Sequence, residues 1–244
     1  MKYDFDQIIS RKETYSTKWL KFSNDDVIPM WIADMDYICP PEITSAMSER
    51  IAQGIFGYSE IPSNLTEVFV NNVKNNSGWS IEKDWVVWIP GGVVGLNVTC
   101  KTVLAPGEIA MVPSPIYAPF TEAPENMERG FIKTHLFDSQ GRLEFDMDAI
   151  ETLLTEDTKL FFLCNPQNPG GTVFSENELK ELSKVCEERN IIVCSDEIHS
   201  DLILEEGLKH IPFASLSKYN ENNSITIMGP CKTFNLAGFP IAAA

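Results

Sequence analysis

The feature that most constrains this chain is an alternation between short, unbroken apolar runs and longer stretches with apolar residues at helical spacing. Leu160-Phe161-Phe162-Leu163-Cys164 and Ile191-Ile192-Val193-Cys194 are such runs. A strand with one face in water alternates apolar and polar residues, so unbroken apolar strands must be covered on both faces. Between these two runs, Ser175-Glu176-Asn177-Glu178 spells a capping box in which serine and glutamate satisfy each other's free amides. The helix it opens carries Leu179, Leu182, Val185 and Cys186 on one side. Asp146 is placed to cap another helix, with Met147, Ile150, Leu153 and Leu154 as its apolar residues. The same reading predicts strands over residues 85–89, 109–112, 131–137 and 224–228, and helices over 43–51, 65–75 and 93–104. The first forty residues read as irregular. The whole predicts an α/β fold, a mostly parallel sheet between helices.

Charge and composition narrow the function classes. Nineteen Lys and Arg stand against 35 Asp and Glu, a net charge of −16. Such a chain repels nucleic acid and anionic membrane, so neither is expected as a partner. No apolar run is long enough to cross a bilayer, and the first residues lack the apolar stretch of a secretory signal, so a cytoplasmic protein is expected. The six cysteines contain no C-x-x-C pair, and no metal site is expected. Cys164 and Cys194 read as buried small hydrophobes.

In an open parallel sheet, ligands bind beyond the carboxyl ends of the strands. The residues following each predicted strand are therefore informative. They are Pro90-Gly91-Gly92-Val93-Val94-Gly95, Pro113-Ser114-Pro115-Ile116-Tyr117, Asn165-Pro166-Gln167-Asn168-Pro169-Gly170-Gly171, Ser195-Asp196-Glu197-Ile198-His199 and Gly229-Pro230-Cys231-Lys232. Gly91-Gly92 opening a helix exposes backbone N–H groups at the positive end of a helix dipole, a seat for phosphate. The segment is neither a Walker A loop nor a dinucleotide fingerprint, and read alone it also suits a simple tight turn. Lys232 follows a buried strand, and a partly desolvated amine there can deprotonate and form a Schiff base. Each residue alone has an ordinary structural use; together they assemble a phosphate seat, an aromatic, an amide, a carboxylate and an amine.

This set, with Trp31-Ile32-Ala33-Asp34-Met35-Asp36, Phe56-Gly57-Tyr58 and Lys232-Thr233-Phe234-Asn235-Leu236-Ala237-Gly238, resembles the fold-type I pyridoxal 5′-phosphate enzymes of the class I/II aminotransferase superfamily. The W-x-A-D-M-D and D-E-I-H-x-D segments resemble in particular the MalY/PatB group of cystathionine β-lyases and cysteine-S-conjugate β-lyases. The resemblance implies that Lys232 holds the cofactor covalently and then serves as general base. It implies that Asp196 pairs with the pyridinium nitrogen, that Asn168 donates to the ring oxygen, and that Tyr117 stacks on the ring. Val93 and Val94 would offer backbone N–H groups to the phosphate, and His199 would assist at the ring oxygen or serve the fold only. Tyr58 would reach the phosphate of a neighbouring subunit, so a homodimer is implied.

The implied reaction is α,β-elimination from cystathionine or an L-cysteine S-conjugate, an amino-acid thioether, giving thiol, pyruvate and ammonia. An aminotransferase of the same fold, or a truncated non-catalytic homologue, are the alternatives. The resemblance also implies a partition, with residues 1–45 as N-terminal arm and small-domain portion and residues 46–244 as the cofactor-binding large domain. That large domain would be incomplete at its C-terminal end, and the C-terminal small domain would be lacking. The chain ends twelve residues after Lys232, where a further sheet strand is due, and an unpaired sheet edge with exposed apolar surface is expected there.

Overall fold

The computed structural model describes residues 3–22, 24 and 26–244. These pack as two compact units: one holds the described residues up to Glu60 together with Pro230–Pro240, the other Ile61–Gly229 and Ile241–Ala244.

The larger unit is built on β1 (Trp88–Ile89), β2 (Ile109–Ser114), β3 (Gly130–Ser139), β4 (Arg142–Phe145), β5 (Thr158–Cys164), β6 (Ile192–Asp196), β7 (Ser224–Ile227) and β8 (Ala242–Ala243). Six of these strands form a sheet in the order β4-β3-β2-β5-β6-β7. The pairs from β3 to β7 are parallel and only β4 runs against its neighbour β3. The mostly parallel sheet read from the apolar runs is thus the observed one. Alternate residues of β5 serve opposite cores. Leu160, Phe162 and Cys164 pack with Leu96, Cys100 and Phe120, from helices α4 (Gly92–Val103) and α5 (Pro119–Asn126). Phe161 and Leu163 pack on the other face with Ile150, Leu179 and Leu182, from α6 (Met147–Leu153) and α7 (Glu176–Arg189). Burial on both faces explains why this strand carries no polar alternation.

The caps act as read. Asp146 accepts a hydrogen bond from Ala149 N at 2.9 Å. Ser175 Oγ accepts from Glu178 N at 3.4 Å while Glu178 Oε2 accepts from Ser175 N at 2.8 Å. At the far end of α7, Asn190 takes a left-handed φ of 52° and stops the helix.

Three expectations are corrected. The strand predicted over 85–89 shrinks to Trp88–Ile89, because Lys83–Trp85 close a 3-10 turn. The stretch between β2 and β3, over which no helix is predicted from the sequence, contains α5, which begins at Pro119 and tolerates Pro124 within it. β7 stays the edge strand of the six-stranded sheet, but that edge is closed at Met228, one residue beyond it. Ala243 bridges Met228 while Ala242 and Ala243 pair antiparallel with Ile89 and Trp88, so β8 joins β1 to the six-stranded sheet. Apolar surface is nonetheless present there. A cavity of about 510 Å³ lies along this edge, lined by Phe69, Trp79, Trp85, Val98 and Ile225 among others.

Within the smaller unit, the structure adds α1 (Thr17–Leu20) and places α2 (Pro41–Ala52) over the predicted helix at 43–51. No residue of α2 is buried. Among the described residues, no helix is long and apolar enough to cross a membrane.

Candidate functional site

The carboxyl edge of the larger unit's sheet collects most of the predicted site residues. Asp196 is the last residue of β6 and stands in register with Cys164 of β5 and Ile227 of β7. It is 8% exposed and accepts from Ile198 N at 3.1 Å. Opposite it begins α4. Gly91 has φ 101° and ψ 158°, a conformation that side chains with a Cβ rarely adopt, and caps α4 without any side-chain hydrogen bond. A Cβ on Gly92 would lie 4.0 Å from Asp196 Oδ2 and 3.7 Å from Ile227 Cγ2. The positive end of α4, with Val93 and Val94 exposed beside it, therefore opens next to the carboxylate.

Tyr117 and Asn168 come from two further strand ends and are tied together by their backbones. Tyr117 N donates to Asn168 O at 3.1 Å. Tyr117 is exposed at its edge of the sheet, yet partial desolvation raises its phenol pKa, with the negative charges of Glu122 and Asp196 adding to the rise. Asn168 N donates to Cys164 Sγ at 3.4 Å. That thiol is itself pushed far up, first by burial and then by Asp196, so it stays neutral beside the carboxylate. His199 lies in the turn after β6, its carbonyl accepting from Leu202 N at 2.9 Å.

Two features here escaped the sequence reading. Gln167 clasps the two loops, donating from Nε2 to Pro115 O at 2.6 Å and accepting from Gly170 N on Oε1 at 2.5 Å. Glu197, next to Asp196 and wholly buried, accepts from Ser195 Oγ at 2.8 Å and Phe213 N at 3.0 Å, and lies 2.6 Å from His210 Nε2. These contacts fix the backbone on both sides of Asp196 where β6 ends. Gln167 stood in plain view within N-P-Q-N-P-G-G, but nothing in that motif tells a clasp from a solvated amide.

Lys232 and Tyr58 belong to the smaller unit. Lys232 is part-buried in a turn closed by Phe234 N to Pro230 O at 3.0 Å and Leu236 N to Cys231 O at 2.8 Å. Tyr58 is fully exposed. Among the described residues, no three His, Cys, Asp or Glu gather in a way that could hold a metal ion.

Residues 25–244 match the family described as aminotransferase class I and II. The chain belongs to that family. It is 38% identical to cystathionine beta-lyase PatB of Bacillus subtilis over 98% of its own length, and spans 63% of that protein. Cystalysin of Treponema denticola, whose crystal structure contains a pyridoxal 5′-phosphate cofactor, superimposes with a TM-score of 0.93 at 30% identity, over 100% of this chain and 63% of cystalysin. The pyridoxal-phosphate-bound C-S lyase of Staphylococcus hominis gives 0.92 at 32% identity, covering 100% of this chain and 63% of that one. The architecture is therefore the fold-type I fold of the pyridoxal-phosphate enzymes, and the chain spans less than two thirds of the length of these members.

Proposed function

We propose that the complete protein is a pyridoxal 5′-phosphate-dependent carbon–sulfur β-lyase, which splits cystathionine or an L-cysteine S-conjugate, with water, into thiol, pyruvate and ammonia. The observation that carries this reading is the juxtaposition of a glycine-opened helix N-terminus and a buried carboxylate, Gly92 against Asp196, at one sheet edge. A dianionic phosphate suits the first-turn amides of α4, and a carboxylate standing at the same sheet edge suits a protonated ring nitrogen. The donor set thus fits the cofactor, and the lyase relatives carry the choice of reaction.

When bound, the cofactor supplies an electron sink for charge developing at the substrate's Cα. The rest is the work of this chain's residues. Val93 and Val94 would hold the phosphate through backbone N–H groups, and Gly91 would allow its close approach. Asp196 holds a proton on the ring nitrogen. Asn168 would donate to the ring oxygen and Tyr117 would stack on the ring, the two residues being tied to each other by their backbone hydrogen bond. His199 assists at the ring oxygen. Lys232 would be the residue that holds the cofactor and, as a free amine, the base that takes the Cα proton. The sulfur would depart as thiolate and take up, from Lys232, the proton removed from Cα, giving the thiol.

We further propose a cytoplasmic homodimer in which Tyr58 reaches the neighbouring subunit's phosphate, and a domain boundary at residue 45. The full exposure of Tyr58 supports the first. The reaction is tested by supplying cystathionine with pyridoxal phosphate. Equimolar thiol and pyruvate are expected. Transfer of the amino group to an added keto acid without thiol release would replace the lyase reading by an aminotransferase.

A further inference from the structure

The smaller unit contains a charged cluster that the proposed chemistry does not use. Arg11 Nη2 meets Asp34 Oδ2 at 2.6 Å and Arg11 Nη1 meets Asp36 Oδ1 at 2.9 Å. Lys18, whose side chain is 8% exposed, donates to Asp36 Oδ2 at 2.7 Å and to Asp34 O at 2.9 Å. Trp19 Nε1 adds a third donor to the Asp36 carboxylate at 2.9 Å. A lysine this buried needs a fixed charge partner, so these contacts hold the Asp34-Met35-Asp36 backbone in one setting.

That backbone is gripped from the other side by Asn235, 200 residues away in sequence. Asn235 Oδ1 accepts from Met35 N at 3.0 Å, and its Nδ2 donates to Met35 O at 3.0 Å and to Tyr37 O at 2.8 Å. Three polar atoms of one segment are met by a single side-chain amide, a match to backbone that few side chains can make. Asn235 also has φ 55°, and this left-handed residue allows Leu236 N to reach back to Cys231 O around Lys232. Asparagine tolerates that conformation better than most residues.

We propose that Asn235 is a positioning residue for Lys232: its amide locks the lysine-bearing turn onto residues 35–37, and the Arg11–Lys18–Trp19 cluster with Asp34 and Asp36 sets where that turn is held. The role assigned to Lys232 rests on the proposed function; the tether itself does not.

Asn235→Gly is the informative variant, since glycine keeps the left-handed backbone and removes only the amide. Asn235→Asp retains the acceptor for Met35 N and loses both donors. Two readouts are taken on the full chain. Amide hydrogen exchange in Asn235→Gly should accelerate about tenfold or more over both 34–37 and 231–239, with β5 and β6 unchanged. The pyridoxal phosphate concentration giving half-maximal borohydride-trapped label on Lys232 should rise about fivefold or more, with Asn235→Asp in between. Exchange that rises at only one segment, or not at all, overturns the tether. Exchange that rises at both with unchanged labelling of Lys232 overturns the positioning role. If wild-type Lys232 takes no label, the assignment of that lysine fails, and the exchange data still decide the tether.

Discussion

Asp196 and Lys232 sit in parts of the molecule that are held together differently. Asp196 ends a strand whose own Val193 and whose neighbours Phe161, Phe162 and Leu163 on β5 are all within 1% of complete burial, with helices on both faces. Lys232 sits in a unit where, among the described residues, only Ser16, Lys18, Pro29 and Cys231 are buried. There the order comes from ion pairs and side-chain amides: Arg11 and Lys18 on Asp34 and Asp36, and Asn235 on residues 35–37. Apolar burial is non-directional and tolerates water and salt at its rim, whereas charged contacts specify one geometry but weaken in acid and are screened at the surface. The carboxylate is thus carried by a packed sheet and the amine by a polar clasp, and the two should fail under different insults.

The largest effect is expected in the packed sheet. Phe162→Ala, which removes a fully buried ring stacked edge-on against Phe120 with centroids 5.5 Å apart, should cost about 3–5 kcal/mol in denaturant unfolding. A loss under 1 kcal/mol would mean that the two-faced core does not carry the larger unit. Next comes Gly229→Ala. The new Cβ would lie 2.6 Å from Ile241 O and 3.1 Å from Ala242 Cα, both backbone atoms, so about 1–3 kcal/mol should be lost as β8 is pushed from its bridge to Met228. Unchanged hydrogen exchange at Ala243 in this variant would contradict the close approach. Ser175→Ala removes half of the capping box and should cost about 1 kcal/mol, confined to the larger unit.

The smallest effect separates the two units by pH. Burial alone would raise the Asp36 pKa, but hydrogen bonds from Lys18, Trp19 and Arg11 outweigh it and hold the carboxyl at about 2, against an ordinary 3.8. A depressed folded-state pKa gives stability that is fully present above the unfolded value and is lost as pH falls through the folded one. Exchange protection over 34–37 should therefore fall between about pH 4 and pH 2, and Asp36→Asn should flatten this dependence. Identical pH profiles in the two proteins would show that the cluster does not order the segment.

The same contrast explains what could be read from the chain. Unbroken apolar runs, the Asp146 cap and the Ser175–Glu178 box are local signals, and each one marked an element that forms. The strand-end rule puts Tyr117, Asn168 and Asp196 on one sheet edge from the sequence alone. Helix α5 was hidden because eight residues bracketed by prolines show too little periodicity. Strand β4 was missed because Arg142-Leu143-Glu144-Phe145 is only part-buried up to its last residue and pairs locally with β3. The W-x-A-D-M-D segment stood out by resemblance, yet its contacts with Arg11, Lys18 and Asn235 leave no periodic trace. Polar clasps between distant residues depend on three-dimensional placement, and neither spacing nor hydropathy encodes them.

The account turns on Lys232 meeting pyridoxal phosphate, and borohydride trapping tests it most directly. The purified chain is mixed with the cofactor, its visible spectrum recorded, and the reduced adduct located by peptide mass. A yellow band that bleaches on reduction and leaves the pyridoxyl group on Lys232, absent in Lys232→Ala and weakened in Asp196→Asn, is the predicted result. Label scattered over surface lysines, or an unchanged band in Lys232→Ala, would contradict it.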